Sequence, residues 1–195
     1  KSKKNFPDPW LLFGKYGVDA IRYYLMSSSV MAADNVNFSE KDVDEVYKKY
    51  SLISYNVLNL FKLYRDRLKK GKAKGKSGAH VLDRWILSRL HSTIREVTSG
   101  FDRYEIVEAV RPLLGFVQDM SLWYVRRSRD RIKSETPDGV RALTTLAGVL
   151  FDLSRLMAPV TPFLAEIIYG DLPSKNKISV HLEDWPMPDK KTADR

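Results

Sequence analysis

A chain of 195 residues that is 44% hydrophobic and 11% aromatic has enough apolar surface to bury a core, as one domain with a small appendage. The absence of cysteine excludes disulfides and thiolate metal sites and fits a reducing compartment, and no apolar run approaches the roughly 18 residues of a membrane span, so a soluble cytoplasmic protein is expected. Lys and Arg number 33 against 24 Asp and Glu, a net charge of +9 that suits polyanionic partners or, equally, a solubilising surface.

The chain opens on "KSKKNFPDPW", a lysine-rich stretch without an initial methionine that runs into Pro-Asp-Pro, and it reads as cut from a longer protein. Residues 7–16 and 19–28 predict two short helices broken by Gly17, with Asp19 near the start of the second. "NVNF" reads as briefly extended. Ser39 followed by Asp42 forms a capping-box pattern, and Val43, Val46, Tyr47, Tyr50, Ile53, Val57, Leu60, Phe61, Tyr64 and Leu68 predict one long amphipathic helix. "KKGKAKGKSG" reads as a mobile, solvated loop rather than a site. Leu82, Trp85, Ile86, Leu90, Ile94 and Val97 predict a second helix, stopped by Gly100.

A third helix is predicted from about Asp102 to Ile132, with Val107, Val110, Leu114, Val117, Ser121 and Tyr124 on one stripe and Leu113, Phe116, Met120 and Trp123 on the next. Two adjoining stripes call for a largely buried helix. Pro112 inside it either kinks it or marks its start. "TPDGVRALTTLAGVLFDLSRLMAP" predicts a fourth helix between Pro137 and Pro159, and "TPFLAEIIYGDL" a short fifth with Pro162 in its first turn and Gly170 after it. "KISVHLEDWP" alternates as a strand does. The expected fold is mainly α, an antiparallel helical bundle with a small mixed piece at each end.

Catalytic groupings do not emerge. His80, His91 and His181 fall in different elements without metal-ligand spacing, and no Gly-x-Gly-x-x-Gly or Walker loop occurs. No catalytic or metal-binding residue is assigned. The strongest signal is the basic segment "WYVRRSRDR", which holds its arginines at fixed helical spacing.

Several stretches resemble the class I aminoacyl-tRNA synthetases. Lys1 and Ser2 look like the last two residues of their KMSKS signature; "KYGVDAIRYYLMSSSVMAADNVNFSEKDVDEVYKK" resembles the segment after it in the isoleucine, valine and leucine enzymes, and "LMAPVTPFLAEIIY" a stretch of their anticodon-binding bundles. "NVNFSEKDVDEVYKK", "WYVRRSRDR" and "SVHLEDWP" look most like the isoleucine enzymes, with the valine enzymes next. Tyr55, where a tryptophan is expected before Asn56, and Pro112 depart from the pattern.

The resemblance implies a KMSKS remnant and stem-contact connector over residues 1–38 and an anticodon-binding bundle with an extended tail over 39–195. It implies a parent isoleucine-tRNA ligase that uses ATP and Mg2+, with Lys1 and Ser2 as surviving ATP-loop residues, tRNA-Ile as partner, a monomeric state and a cytoplasmic site. With the HIGH motif and nucleotide-binding core absent, the piece itself is expected to bind no cofactor and to catalyse nothing. The same region of a valine enzyme, a stand-alone basic RNA-binding module and a protein-interaction bundle are the alternatives.

Anticodon bases are single-stranded, and proteins read them by stacking and edge hydrogen bonds. Trp123, Arg126, Arg127 and Arg131 lie at i, i+3, i+4 and i+8, close enough for one patch. Trp123 also lies on a core stripe, the favoured reading for it, and a position near a helix C-terminus suits arginines through the macrodipole alone. Arg126 and Arg127 cannot face the same way, so one is open to pairing with Asp130 or Glu135. Asn56 is a buried polar anchor or a base reader, and Lys62 and Arg65 are placed for phosphate.

Overall fold

The computed structural model describes residues 8–35, 37–70, 80–173 and 177–188, so the expectations for Lys1, Ser2 and the greater part of the lysine-rich loop lie outside it. Helix α1, Pro9–Tyr16, starts where the Asp8 carboxylate accepts from Trp10 N at 3.0 Å and Pro9 brings a preset φ. It ends at Gly17, whose φ of +79° suits a residue without a Cβ, and α2, Val18–Met26, leaves in a new direction. A 3-10 turn, Ser29–Ala32, completes a connector that is helical among the described residues, not mixed.

Ser39 Oγ accepts from Asp42 N at 3.3 Å and opens the long helical run as its capping pattern predicts. That run is α3, Glu40–Val46, then a π turn, Tyr47–Leu52, then α4, Ile53–Tyr64, with α5, Asp66–Lys70, after it. Helix α6, Val81–Asp102, is capped by His80 Nδ1, which accepts from Leu82 N at 3.1 Å. Gly100 does not stop it. A Cβ there would lie 2.6 Å from Ala109 N, so Gly100 is where α6 and α7, Ile106–Gln118, come closest. Pro112 lies within α7 and does not start it.

Helix α7 passes through a second π turn, Asp119–Val125, into α8, Arg126–Lys133. Thr136 Oγ1 then accepts from Gly139 N at 3.2 Å to open α9, Pro137–Met157, and α10, Pro162–Gly170, follows. The tail is not a strand: its regular element is a 3-10 turn, Val180–Leu182. Helices α4, α6, α7, α9 and α10 enclose the main core, which includes Phe61, Ile94, Phe116, Leu146 and Ile168, while Leu12, Tyr16, Ile21, Tyr24 and Val43 pack into a smaller one under the connector. Buried apolar area of this extent supplies the principal drive to fold.

The connector is bonded to the far end of the bundle. Arg22 donates from Nε to Val160 O and from Nη2 to Pro159 O, each at 3.0 Å, and Tyr23 Oη donates to Val110 O at 3.2 Å. Asp19 Oδ2 accepts from Leu164 N at 2.6 Å and so caps α10 across 145 residues of sequence.

Candidate nucleic-acid interface

The buried residues along the third helical run, Phe116, Met120, Tyr124, Ser128 and Ile132, recur at steps of four. In an α-helix each such step advances the stripe by about 40°, and a π turn, which bonds i to i+5, takes up the drift. The turn at Asp119–Val125 thereby puts Tyr124 in the core and turns Trp123 out. Trp123 is 43% exposed and Leu122 58%, which overturns the core reading of Trp123.

Trp123 lies between an arginine and a second, inclined tryptophan. The Arg127 guanidinium carbon lies 3.8 Å from the centre of its ring, and the Trp85 ring of α6 lies 6.1 Å away, tilted by 53°. One turn along both helices, Arg89 and Asp119 pair at 2.9 Å and hold α6 in register with the π turn. Arg126, Arg127 and Arg129 are exposed, and among the described residues no carboxylate pairs with them. The macrodipole does not account for Arg126 and Arg127, because Arg67 Nη1 donates to the terminal carbonyls of Ile132, Lys133 and Ser134 instead. Glu135, expected to take Arg126 or Arg127, lies 3.9 Å from Arg67 Nη2.

Arg131 points the other way. It is 15% exposed and forks onto fully buried Asp83, with Nη1 to Oδ1 at 3.1 Å and Nη2 to Oδ2 at 3.0 Å, while Nε donates to Asp138 Oδ2 at 2.7 Å. Tyr124 Oη donates to the same Asp83 Oδ1 at 2.9 Å. Burial pulls the Arg131 pKa down, but the bonds to Asp138 and Asp83 outweigh it and hold the guanidinium charged. A charge buried with its partners satisfied is a packing element, and its donors are used up within the fold.

Lys62 and Arg65 also face a protein partner. They meet Asp171, just past α10, at 2.9 Å and 2.8 Å. Burial pushes the Asp171 carboxyl up, and the bonds from Lys62 and Arg65 prevail and lower it. Asn56 is exposed on α4, which removes the buried-anchor reading and leaves its amide free for solvent or ligand. Of the residues read from sequence, Trp123 and Arg127 are in contact and Arg126 is exposed on the same helical run; Trp85, which the periodicity assigned to an apolar stripe, joins them, and Leu122 and Arg129, which it did not single out, are exposed nearby in the chain.

A concavity lies between the α1–α2 turn and the first π turn, lined by Tyr16, Gly17, Asp19, Tyr47, Ser51 and Phe163 among others. Asp19 Oδ1 and Ser51 Oγ are buried without a hydrogen-bond partner. Among the described residues no group of three or more His, Cys, Asp or Glu gathers to hold a metal, and no helix is long and apolar enough to cross a membrane.

Comparison with known proteins gives the family and the fold. The family described as "Anticodon-binding domain of tRNA ligase" matches residues 83–195, which include Trp85, the second π turn and α8. The chain is 41% identical over 190 residues to the isoleucine–tRNA ligase of Deinococcus radiodurans, covering 95% of this chain and 17% of that protein. It is 38% identical over 192 residues to the isoleucine–tRNA ligase of Chlamydia abortus, covering 95% and 18%. Against the cytoplasmic isoleucine–tRNA ligase of Mus musculus the figures are 39% over 182 residues, 88% and 14%. The chain thus spans less than a fifth of the length of these relatives. Its fold matches the LeuRS of Agrobacterium radiobacter, solved in a ternary complex with tRNA and LeuAMS, with a TM-score of 0.69 over 99% of this chain and 22% of that one, at 22% identity.

Proposed function

The chain belongs to the family of anticodon-binding domains of tRNA ligases, and from that premise we propose that it is the tRNA-gripping part of an isoleucine–tRNA ligase. Relatives of that name at 36–41% identity support the amino acid. The partner is tRNA-Ile, and the parent is a cytoplasmic, monomeric enzyme that charges it with ATP and Mg2+. Lys1 and Ser2 are assigned to the ATP loop, residues 1–38 to the connector along the tRNA stem, and residues 39–195 to the bundle that receives the anticodon arm.

The observation that carries this reading is the division of labour within one helix. Arg131 is neutralised inside the fold, whereas Arg126, Arg127 and Arg129 are left in water beside an exposed tryptophan. Exposed guanidinium groups without acidic partners suit phosphates, and a guanidinium lying over a tryptophan suits an unstacked base. Trp123, Arg126, Arg127 and Asn56 are the proposed contacts. Arg131, Lys62 and Arg65 instead hold the bundle that presents them.

Two measurements test the reading. Filter binding of an isoleucine anticodon stem-loop should weaken steeply with salt, and Arg126→Ala, Arg127→Ala and Arg129→Ala together should lower the salt slope by about 3 while the melting temperature holds. Unaltered binding by that triple variant sinks the proposed face. Charging by the full-length parent, offered isoleucine and valine in turn, checks the amino acid.

A further inference from the structure

Resting on that reading, we propose that Arg127 and Trp123, the latter buttressed by the tilted ring of Trp85, form a platform whose outer guanidinium stacks one unpaired RNA base without identifying it. A π turn, an irregularity that recurs at functional sites, turns Trp123 outward and leaves it 43% exposed. Its neighbours fix its pose. Trp85 backs it from α6, and the Arg89–Asp119 pair locks the two helices one turn away.

Arg127 lies over the Trp123 ring at 3.8 Å, the separation of stacked planes, so the indole holds the guanidinium in place before any ligand arrives. A planar cation on an aromatic ring offers its second face to another planar group, and a nucleobase fills that role in single-stranded RNA.

The platform presents π faces and charge, and the N–H groups of its outermost layer lie in the guanidinium plane, directed away from the edge of a base stacked on it. It therefore accepts every base, with purines ahead of pyrimidines through greater overlap. Its role is to fix the register of the strand, leaving discrimination to other groups.

The test uses the 195-residue chain and a set of isoleucine anticodon stem-loops, each with 2-aminopurine at one loop position. Wild type should quench the fluorophore at one position. Arg127→Lys keeps the charge and removes the plane, so it should abolish that quench and weaken binding about tenfold while the salt slope and the melting temperature stay put. Trp85→Phe, which trims the backing layer, should weaken the same quench in part. Changing the stacked base to the other purine should leave affinity within about twofold, and to a pyrimidine should lower it.

An intact quench and affinity in Arg127→Lys overturns the platform while leaving the tRNA reading standing. A loss of more than about a hundredfold on the purine exchange refutes indifference to base identity. Absence of any salt-dependent stem-loop binding by wild type overturns both the platform and the function on which it rests.

Discussion

Arg127 and Arg131 stand four residues apart on α8 and would be interchangeable by charge alone. What separates them is Asp83, fully buried in the first turn of α6, which has Arg131 and Tyr124 as partners. Arg131→Ala should therefore cost about 3–5 kcal/mol of stability in urea unfolding, because it strands a buried carboxylate, while the folded fraction binds RNA as before. Asp138 shows the linked pH dependence. The hydrogen bond from Arg131, opposed by burial, lowers its pKa below the ordinary 3.8, so its contribution is complete above that value and is lost as pH falls beneath it.

Asp19 has the opposite sign. Burial raises its pKa above 3.8, partly offset by the N–H groups of Leu164 and Phe163, so ionisation costs stability as pH rises through the folded-state value. Asp19→Asn keeps an acceptor for Leu164 N and should match or exceed wild type at pH 7, with the advantage vanishing toward pH 3.5. Asp19→Ala loses the cap and should fall by about 1 kcal/mol. Equal losses in both variants, measured by urea unfolding, would refute the role of the charge. None of these pairings was legible in the chain, because Asp83 and Arg131 lie 48 residues apart and Asp19 and Leu164 lie 145 apart. Ser39, Pro137 and Pro162 were legible, since helix-start signals act over a few residues.

At the scale of elements, periodicity located most helices but misread two irregularities. A strict 3.6-residue count carries the Leu113, Phe116, Met120 stripe onto Trp123, whereas the recurring steps of four through Tyr124, Ser128 and Ile132 were the sign of the π turn. Gly100 was read as a terminator because glycine usually breaks helices, yet it is where one backbone meets another. The two readings differ in sign on mutation. Gly100→Ala should stabilise by up to about 1 kcal/mol if only helix propensity matters. With Ala109 N 2.6 Å from the added Cβ, we expect a loss of about 1–3 kcal/mol in thermal unfolding, with helix content by circular dichroism retained. The tail "KISVHLEDWP" alternated in hydrophobicity like a strand, but no described strand lies beside it to pair with, and Trp185 reaches α6 through its Nε1, which donates to Thr98 Oγ1 at 2.8 Å.

Across the whole molecule the connector and the bundle share polar bonds as well as apolar contact, so they should unfold together. Fluorescence and far-ultraviolet circular dichroism in urea should give coincident transitions. Arg22→Ala, which removes the bonds to Val160 and Pro159, should lower stability by about 1.5–3 kcal/mol, and separation of the two transitions would show that the connector had become independent. Those bonds also impose an order of events during synthesis. Arg22 and Asp19 emerge early but find Pro159, Val160 and Leu164 only after 137 to 145 further residues have been added. At roughly 5–20 residues per second, the first helices of the chain wait about 7–30 s on the ribosome before their clasp can close.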